Sequence, residues 1–318
     1  LREALDEFSA LCASISGIEP GPSFDGWGED AMLGTGVAIN PQAAAHCVKD
    51  YRRSVVFIRG VYAALKVLRK RFPDTPIQVL YAGCGPFATL LLPLLGRFHA
   101  GVLDITLLEI HRRSLDSVGH LIDHFGFTAH AIEFAQVDAS HYQHHSKPHL
   151  VIAETMQKAL EQEPQLAVTA NLAPQLCTGG ILIPEKIEVE LCLAPHQQET
   201  QMILRDGDLP HSTKRHSLGT LIELTAHSRA LFGQLESSSD ELGLAEIRVP
   251  RLAGCDQYDL VMYTRIDVFA HHGLGEYESE ITLPLKCHDV PLLSGGELLG
   301  VRYQLGAYPK IGITVERE

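Results

Sequence analysis

The sequence predicts an α/β protein in which a Rossmann-like domain built on a parallel sheet is followed by an antiparallel β-barrel-like domain. Three observations predict it. From Ile77 to about residue 183, apolar strand-like runs alternate with segments of helical spacing, the pattern of a parallel sheet flanked by helices. Within that part, "VLYAGCGPF" places Gly83 and Gly85 directly between a strand and a helix-forming run. Small residues there let backbone amides approach a ligand at a helix N-terminus. From about residue 184 the helical spacing gives way to short alternating runs separated by Gly, Asp and Pro turns. The expected division is an N-terminal helical segment over 1–39, the Rossmann-like domain over 40–183 and the β domain over 184–318.

The elements follow in order. "LREALDEFSALCASISG" repeats apolar residues at 1, 4, 5, 8, 11, 12 and 15, which predicts an amphipathic helix stopped at Gly17 rather than a signal peptide. Asn40 and Pro41 supply a cap and a first helical position, and the spacing carries a helix on to the break at Pro73. "IQVLYAG" (77–83) reads as a buried strand, "PFATLLLPLL" as a helix and "GVLDITLLEI" (101–110) as a strand. "HRRSLDSVGHLIDHFG" has helical spacing up to Gly126, and "AHAIEFAQVD" and "HLVIAE" supply two more strands. In the β domain, strands are expected at 187–194, 245–250, 257–269, 277–287, 297–306 and 311–317, with a polar, helix-prone insertion at about 196–235.

Composition narrows the function classes. With 318 residues, 45% hydrophobic and 20% charged, the chain can bury one large core or two modest ones. A net charge of -13 without a long Lys/Arg block argues against nucleic acid and favours a cationic partner. The longest apolar run, "FATLLLPLLG", is broken by Pro93 and has about half the ~20 residues a membrane span needs. Seven cysteines with no CxxC pair argue against a disulfide framework or a zinc finger. They fit a reducing compartment, so the expected location is cytoplasmic.

Candidate site residues stand at successive strand ends. Gly83, Cys84 and Gly85 end the first strand, Glu109 the second and Asp138 the third. An acid at the second end can accept hydrogen bonds from ribose hydroxyls, and one at the third can meet an adenine amine. The fourth strand ends on Glu154 and is followed by Glu161 and Glu163. Carboxylates are costly to bury without partners, so a cation is expected among them. Glu163 precedes Pro164, and a carboxylate beside a helix start is also a common structural device. His141, His144, His145 and His149 lie in a polar connection without thiolates and read as a solvated loop, so no metal is expected.

"VLYAGCG", "LLEIHRRS" and "VD" together resemble the S-adenosylmethionine (SAM) site of class I methyltransferases. "VKDYRRSVVF" (48–57) resembles the "LKDxxRTxxY" helix of protein arginine methyltransferases, and "AETMQKALEQE" resembles their double-glutamate loop, where the pattern selects Glu154, Met156 and Glu163. The resemblance implies a SAM-dependent N-methyltransferase acting on a guanidino nitrogen of arginine or an arginine-like acceptor, peptide or small molecule. It assigns Arg53 to the methionine carboxylate of SAM, Gly83, Cys84, Gly85, Glu109, Asp138 and Met156 to the cofactor, and Glu154 and Glu163 to a clamp on the guanidinium. It also implies a homodimer formed through an arm, here the 196–235 insertion, and an aromatic lid near "FDGW" (24–27).

Departures are visible. Tyr81 stands where the family has an acid, and Phe87 replaces its third glycine. The Thr-His-Trp loop of the family has no clear counterpart, "GEYES" (275–279) bringing Glu276 and Tyr277 there with His271 and His272 upstream. These departures keep two alternatives open: another small-molecule or natural-product acceptor, and a methyltransferase fold that serves only as a scaffold.

Overall fold

The structure, a computed structural model, describes residues 1–21, 29–206, 214–237, 240–252, 254–291 and 293–316. The first helix forms where expected. Helix α1 (Arg2–Ser16) ends at Gly17, whose φ of 69° is left-handed and whose N–H donates to the Ala13 carbonyl at 2.8 Å. Among the described residues of the N-terminal segment, none beyond α1 is helical. Strands β1 (Ala31–Leu33) and β2 (Gly36–Ala38) form a hairpin closed by Gly34 and Thr35, a two-residue connection of the kind that suits a tight turn. "FDGW" lies outside the described residues.

The helix expected from Asn40 to Pro73 is two helices. Asn40 caps α2 (Pro41–His46) by accepting the Ala43 N–H at 2.9 Å, as its sequence position suggested. A single 3₁₀ turn, Cys47–Lys49, follows, and α3 (Tyr51–Arg71) then starts afresh. The break is made by Asp50, whose carboxylate accepts the Arg53 N–H at 3.1 Å and so offers the backbone a cap in place of helix continuation.

The parallel sheet holds β3 (Ile77–Ala82), β4 (Leu103–Glu109), β5 (Ala131–Gln136), β6 (Leu150–Ala153) and β7 (Ile181–Ile183), in the spatial order β5-β4-β3-β6-β7. Between β3 and β4 only α4 (Leu92–Leu95) is helical. The longer helix expected from Pro86 is interrupted by Ala88 at φ 40°, and Pro93 is tolerated because it falls in the first turn. Helices α5 (Arg112–His124) and α6 (Gln165–Leu172) complete this domain. Strand β3 runs beside both β4 and β6, with Ala82 opposite Leu108 on one side and Ala153 on the other. The chain therefore reverses direction across the sheet at β3, and ligands of such sheets bind outside the strand ends at that point.

The β domain comprises two antiparallel sheets. One holds β8 (Lys186–Ala194), β9 (His216–Thr225), β11 (Asp259–Phe269), β12 (His272–Leu274) and the two-residue β13 (Leu285–Lys286); the other holds β10 (Glu241–Arg248), β14 (Leu298–Gln304) and β15 (Lys310–Glu316). Two expectations change. Among the described residues of 196–235, only α7 (His196–Asp206) and α8 (Arg229–Ser237) are helical, while "HSLGTLIELT" is β9, paired along β8. Its apolar spacing satisfies a helix, but the neighbouring edge of β8 claims its backbone donors and acceptors. The strand expected over 277–287 shrinks to β13, preceded by a 3₁₀ turn at Glu280–Thr282 that Ser279 caps.

Helix α3 joins the two domains. Its buried stripe, which includes Phe57, Val61 and Leu65, belongs to one continuous core that also contains Val79 and Ile105 of the parallel sheet and Ile187 and Leu299 of the β domain. Gly60 lets α3 lie directly on β11, because a Cβ there would stand 2.5 Å from Val268 Cγ1. At the start of the helix, Asp50 Oδ2 accepts the Ser279 hydroxyl at 2.6 Å and the Glu280 N–H at 2.9 Å, and Arg52 pairs with Glu278 at 2.7 Å.

Candidate active site

A cavity opens at the C-terminal ends of β3, β4 and β6, walled also by the hairpin and the start of α3. Its floor is set by Gly83. With φ at 72° and a hypothetical Cβ only 2.5 Å from Thr155 Cγ2 and 2.9 Å from the Glu154 carbonyl oxygen, no larger residue fits beside the end of β6. Gly85, at φ 60°, turns its N–H onto Glu109 Oε2 at 3.0 Å. The other Glu109 oxygen accepts the N–H groups of Ile110 at 2.9 Å and His111 at 3.1 Å. Three backbone donors thus fix this carboxylate at the cavity wall and leave acceptor capacity for hydroxyls of a ligand. Asp138 also lines the cavity, its Oδ1 accepting the Ser140 N–H at 2.8 Å and hydroxyl at 2.6 Å.

A protein side chain supplies the cation expected among the carboxylates of the double-glutamate segment. Arg53 and Glu154, both nearly buried, form an ion pair through Nη2 and Oε1. Burial works against the Arg53 charge, but Glu154, together with Cys47 and Glu163, more than offsets it and raises the pKa above the ordinary arginine value. Glu163 is buried on the same cavity. Burial and then the Glu154 charge raise its pKa to about 7, against the opposing pull of Arg53 and a hydrogen bond from Gln157. A carboxylate of this kind can change protonation near neutral pH.

The loop that carries Glu163 is unusual in its backbone. Ala159, Leu160 and Gln162 have φ values of 54°, 57° and 65°, a left-handed region that side chains other than glycine rarely occupy. The surroundings hold them there. Thr264 of β11 accepts the Ala159 N–H at 2.9 Å, the Tyr303 hydroxyl of β14 donates to the Leu160 carbonyl at 2.6 Å, and the Pro309 carbonyl accepts the Gln162 N–H at 2.7 Å. From the other side the Val37 N–H donates to the Gln162 carbonyl at 2.8 Å.

Of the residues singled out in the sequence, Arg53, Gly83, Cys84, Gly85, Glu109, Asp138, Glu154 and Glu163 share this cavity. Met156 does not. It is 1% exposed within the hydrophobic core and forms no part of the cavity wall, because a spacing match marks a loop position without marking which way the side chain turns. Glu161 is also off the wall, half-buried near Lys158 and Lys310. Cys84 is a packing residue, its thiol pKa pushed well above the usual value by burial and the nearby Glu109 charge. Tyr81 lines the cavity, fully buried, its phenol raised by burial and then by Glu154.

Sequence reasoning missed the hairpin, which contributes Leu33, Val37 and Ala38 to the wall, with Ile39 just after it. The signal was the glycine pair in "LGTG", too short to stand out by periodicity. Glu276 and Tyr277 are not on the wall. Glu276 pairs with Arg215 and, at 2.5 Å, with Arg265, while the Tyr277 hydroxyl donates to Glu199 at 2.9 Å.

No protein-family model matches this chain, and no curated protein matches it. Solved structures do. The chain is similar to the Trypanosoma brucei PRMT1 enzyme-prozyme heterotetrameric complex with AdoHcy, with a TM-score of 0.51, 15% identity and coverage of 86% of this chain and 92% of that one. It is similar also to Arabidopsis thaliana protein arginine methyltransferase 10 in an open conformation, with a TM-score of 0.53, 11% identity and coverage of 81% and 86%. With the parallel sheet, the trailing β domain and these neighbours spanning most of its length, the chain has the class I methyltransferase fold in its protein arginine methyltransferase-like form.

Proposed function

We propose that this protein is a SAM-dependent N-methyltransferase that acts on a guanidino nitrogen of arginine or an arginine-like acceptor. The observation that supports the reading is the meeting of Arg53, Glu154 and Glu163 on one cavity with Gly83, Gly85, Glu109 and Asp138.

The donor set fits SAM. Glu109 would take the ribose hydroxyls and Asp138 the adenine amine. Arg53 has five N–H donors, so its pairing with Glu154 leaves others for the methionine carboxylate. When bound, SAM supplies an electrophilic methyl group on sulfur; a nitrogen–carbon bond forms as the sulfur–carbon bond breaks, and the acceptor nitrogen loses a proton. Glu154 and Glu163 would hold the flat cation by charge-assisted hydrogen bonds and offset its charge in a partly dehydrated site. Holding the nitrogen in line supplies much of the acceleration, and Glu163, with a pKa near 7, is suited to receive the proton.

A small-molecule acceptor is favoured over a peptide by the commitment of Glu276 and Tyr277 to ion pairs and hydrogen bonds of the β domain. The test is incubation with methyl-labelled SAM and a panel of arginine, guanidino compounds, arginine-rich peptides and oxygen or carbon nucleophiles. Label on guanidino nitrogen is expected. Label only on oxygen or carbon overturns the acceptor assignment, and no calorimetric heat with SAM or its demethylated product overturns the cofactor assignment in favour of a scaffold.

We further propose a cytoplasmic homodimer. Free thiols at all seven cysteines support the reducing compartment, and no described helix is long and apolar enough to cross a membrane. Helix α7 is the candidate contact, since Leu204 is 82% exposed on it. Light scattering at micromolar concentration should give twice the mass of the chain; a monomer sinks the dimer.

A further inference from the structure

The β1–β2 hairpin touches the cavity rim at three places. At its tip the Thr35 hydroxyl donates to Ser140 Oγ at 3.2 Å, next to Asp138. At its far end the Ala38 carbonyl meets His111 Nε2 at 3.2 Å, beside Glu109. Between them the backbone of Gly36 and Val37 is seated on the loop that carries Glu163. The Val37 N–H bonds the Gln162 carbonyl, and an added Cβ at Gly36 would stand 2.6 Å from Pro164 N, 2.8 Å from the Glu163 carbonyl carbon and 3.0 Å from the Gln162 oxygen. Gly36 itself has φ 152°, a conformation that side chains disfavour. The contrast lies two residues away in the same turn: a Cβ at Gly34 would meet nothing within 4 Å.

Resting on the methyltransferase reading above, we propose that Gly36 is a positioning residue for Glu163: the bare backbone of the hairpin presses on the Gln162–Pro164 segment from the cofactor side while Pro309 and Tyr303 hold the loop from the β domain. Gln162 is the peptide caught between, its carbonyl bonded to the hairpin and its N–H to Pro309. A hairpin seated this way shields Glu163 from water and fixes its carboxylate relative to Glu154 in one contact. The same hairpin would both cover a bound cofactor and set the acceptor clamp. The charged and titratable groups around Glu163 are Glu154 after β6, Arg53 on α3, Asp30 before β1 and the Cys47 thiol; none of them lies on Gly36 or Val37, so a change there reaches Glu163 only through position and hydration.

The experiment compares Gly36→Ala with Gly34→Ala. The carboxyl of Glu163 is followed by carbon NMR in glutamate-labelled protein, its signal assigned by its loss in Glu163→Gln, and turnover and SAM affinity are measured in parallel. In Gly36→Ala the Glu163 titration midpoint is expected to fall from near 7 towards the ordinary 4.5, because water reaches the carboxylate. Turnover is expected to fall on the order of 10²-fold, and SAM affinity by less than tenfold, as for a displaced but intact group. Gly34→Ala should change none of these. An unmoved midpoint, or unmoved turnover, in a folded Gly36→Ala protein overturns the proposal. If that variant does not fold, Val37→Pro, which deletes the N–H donor to Gln162, is read by the same criteria. The NMR titration needs no methyl transfer, so an inactive wild type would refute the function while leaving this inference to be decided by Glu163 alone.

Discussion

Glu163 is the residue whose environment makes the sharpest statement. The folded chain keeps its proton up to about pH 7, whereas an ordinary glutamate releases it near 4.5. Between those values the native state binds more protons than the unfolded chain. The stabilising contribution of this group is therefore full below pH 4.5 and is lost as pH rises through 7. The loss is on the order of 3 kcal/mol, so Glu163→Gln should be more stable than wild type at pH 8, and urea titrations at pH 5 and 8 should show the gap closing at the lower value. Arg53 and Glu154 separate by function: Arg53→Ala should weaken SAM binding in calorimetry, whereas Glu154→Gln should keep it and lower turnover by about 10² or more. Equal effects on both readouts would reassign the pair. At this scale the sequence was informative, since Arg53, Glu109, Asp138, Glu154 and Glu163 all fall at strand ends or in motifs whose spacing fixes their place. Met156 shows the limit: the burial of a side chain depends on loop geometry that spacing does not encode.

Among the elements, α3 connects the site to the β domain, and its first residue of influence is the cap. Asp50→Ala removes the α3 N-cap together with the bonds to Ser279 and Glu280. A destabilisation of about 2–3 kcal/mol is expected in denaturant titration, larger than a cap alone gives. SAM affinity should also fall, because Arg53 sits one turn into the same helix. Gly60→Val would push α3 off Val268 and cost about 1–3 kcal/mol or more by overpacking; an unchanged melting temperature would show that the contact relaxes freely. The long strands and helices were legible because several turns of one period accumulate. The hairpin strands, three residues each, were not, and β9 was misread because apolar residues in "LGTLIELT" satisfy two periods until a neighbouring strand decides.

Across the whole molecule one large core spans both domains, beside a small separate cluster of Cys192, Ala194, Val261 and Tyr263 in the β domain. Buried side chains run without interruption from the parallel sheet through α3 into the β domain. Scanning calorimetry should accordingly give a single cooperative endotherm, with the calorimetric and van't Hoff enthalpies equal. Two resolved peaks would show that the halves melt separately. The parallel sheet and the change to antiparallel strands after residue 184 were readable from alternation and turn spacing, since each rests on many residues, whereas the strand order emerges only in the fold. The bracing between the halves was not, because Asp50 and Ser279 lie 229 positions apart.

That shared helix restricts how any acceptor can arrive. Two lobes bolted through a common axle cannot swing apart like the blades of scissors, so an acceptor meets a chamber framed by one packed body.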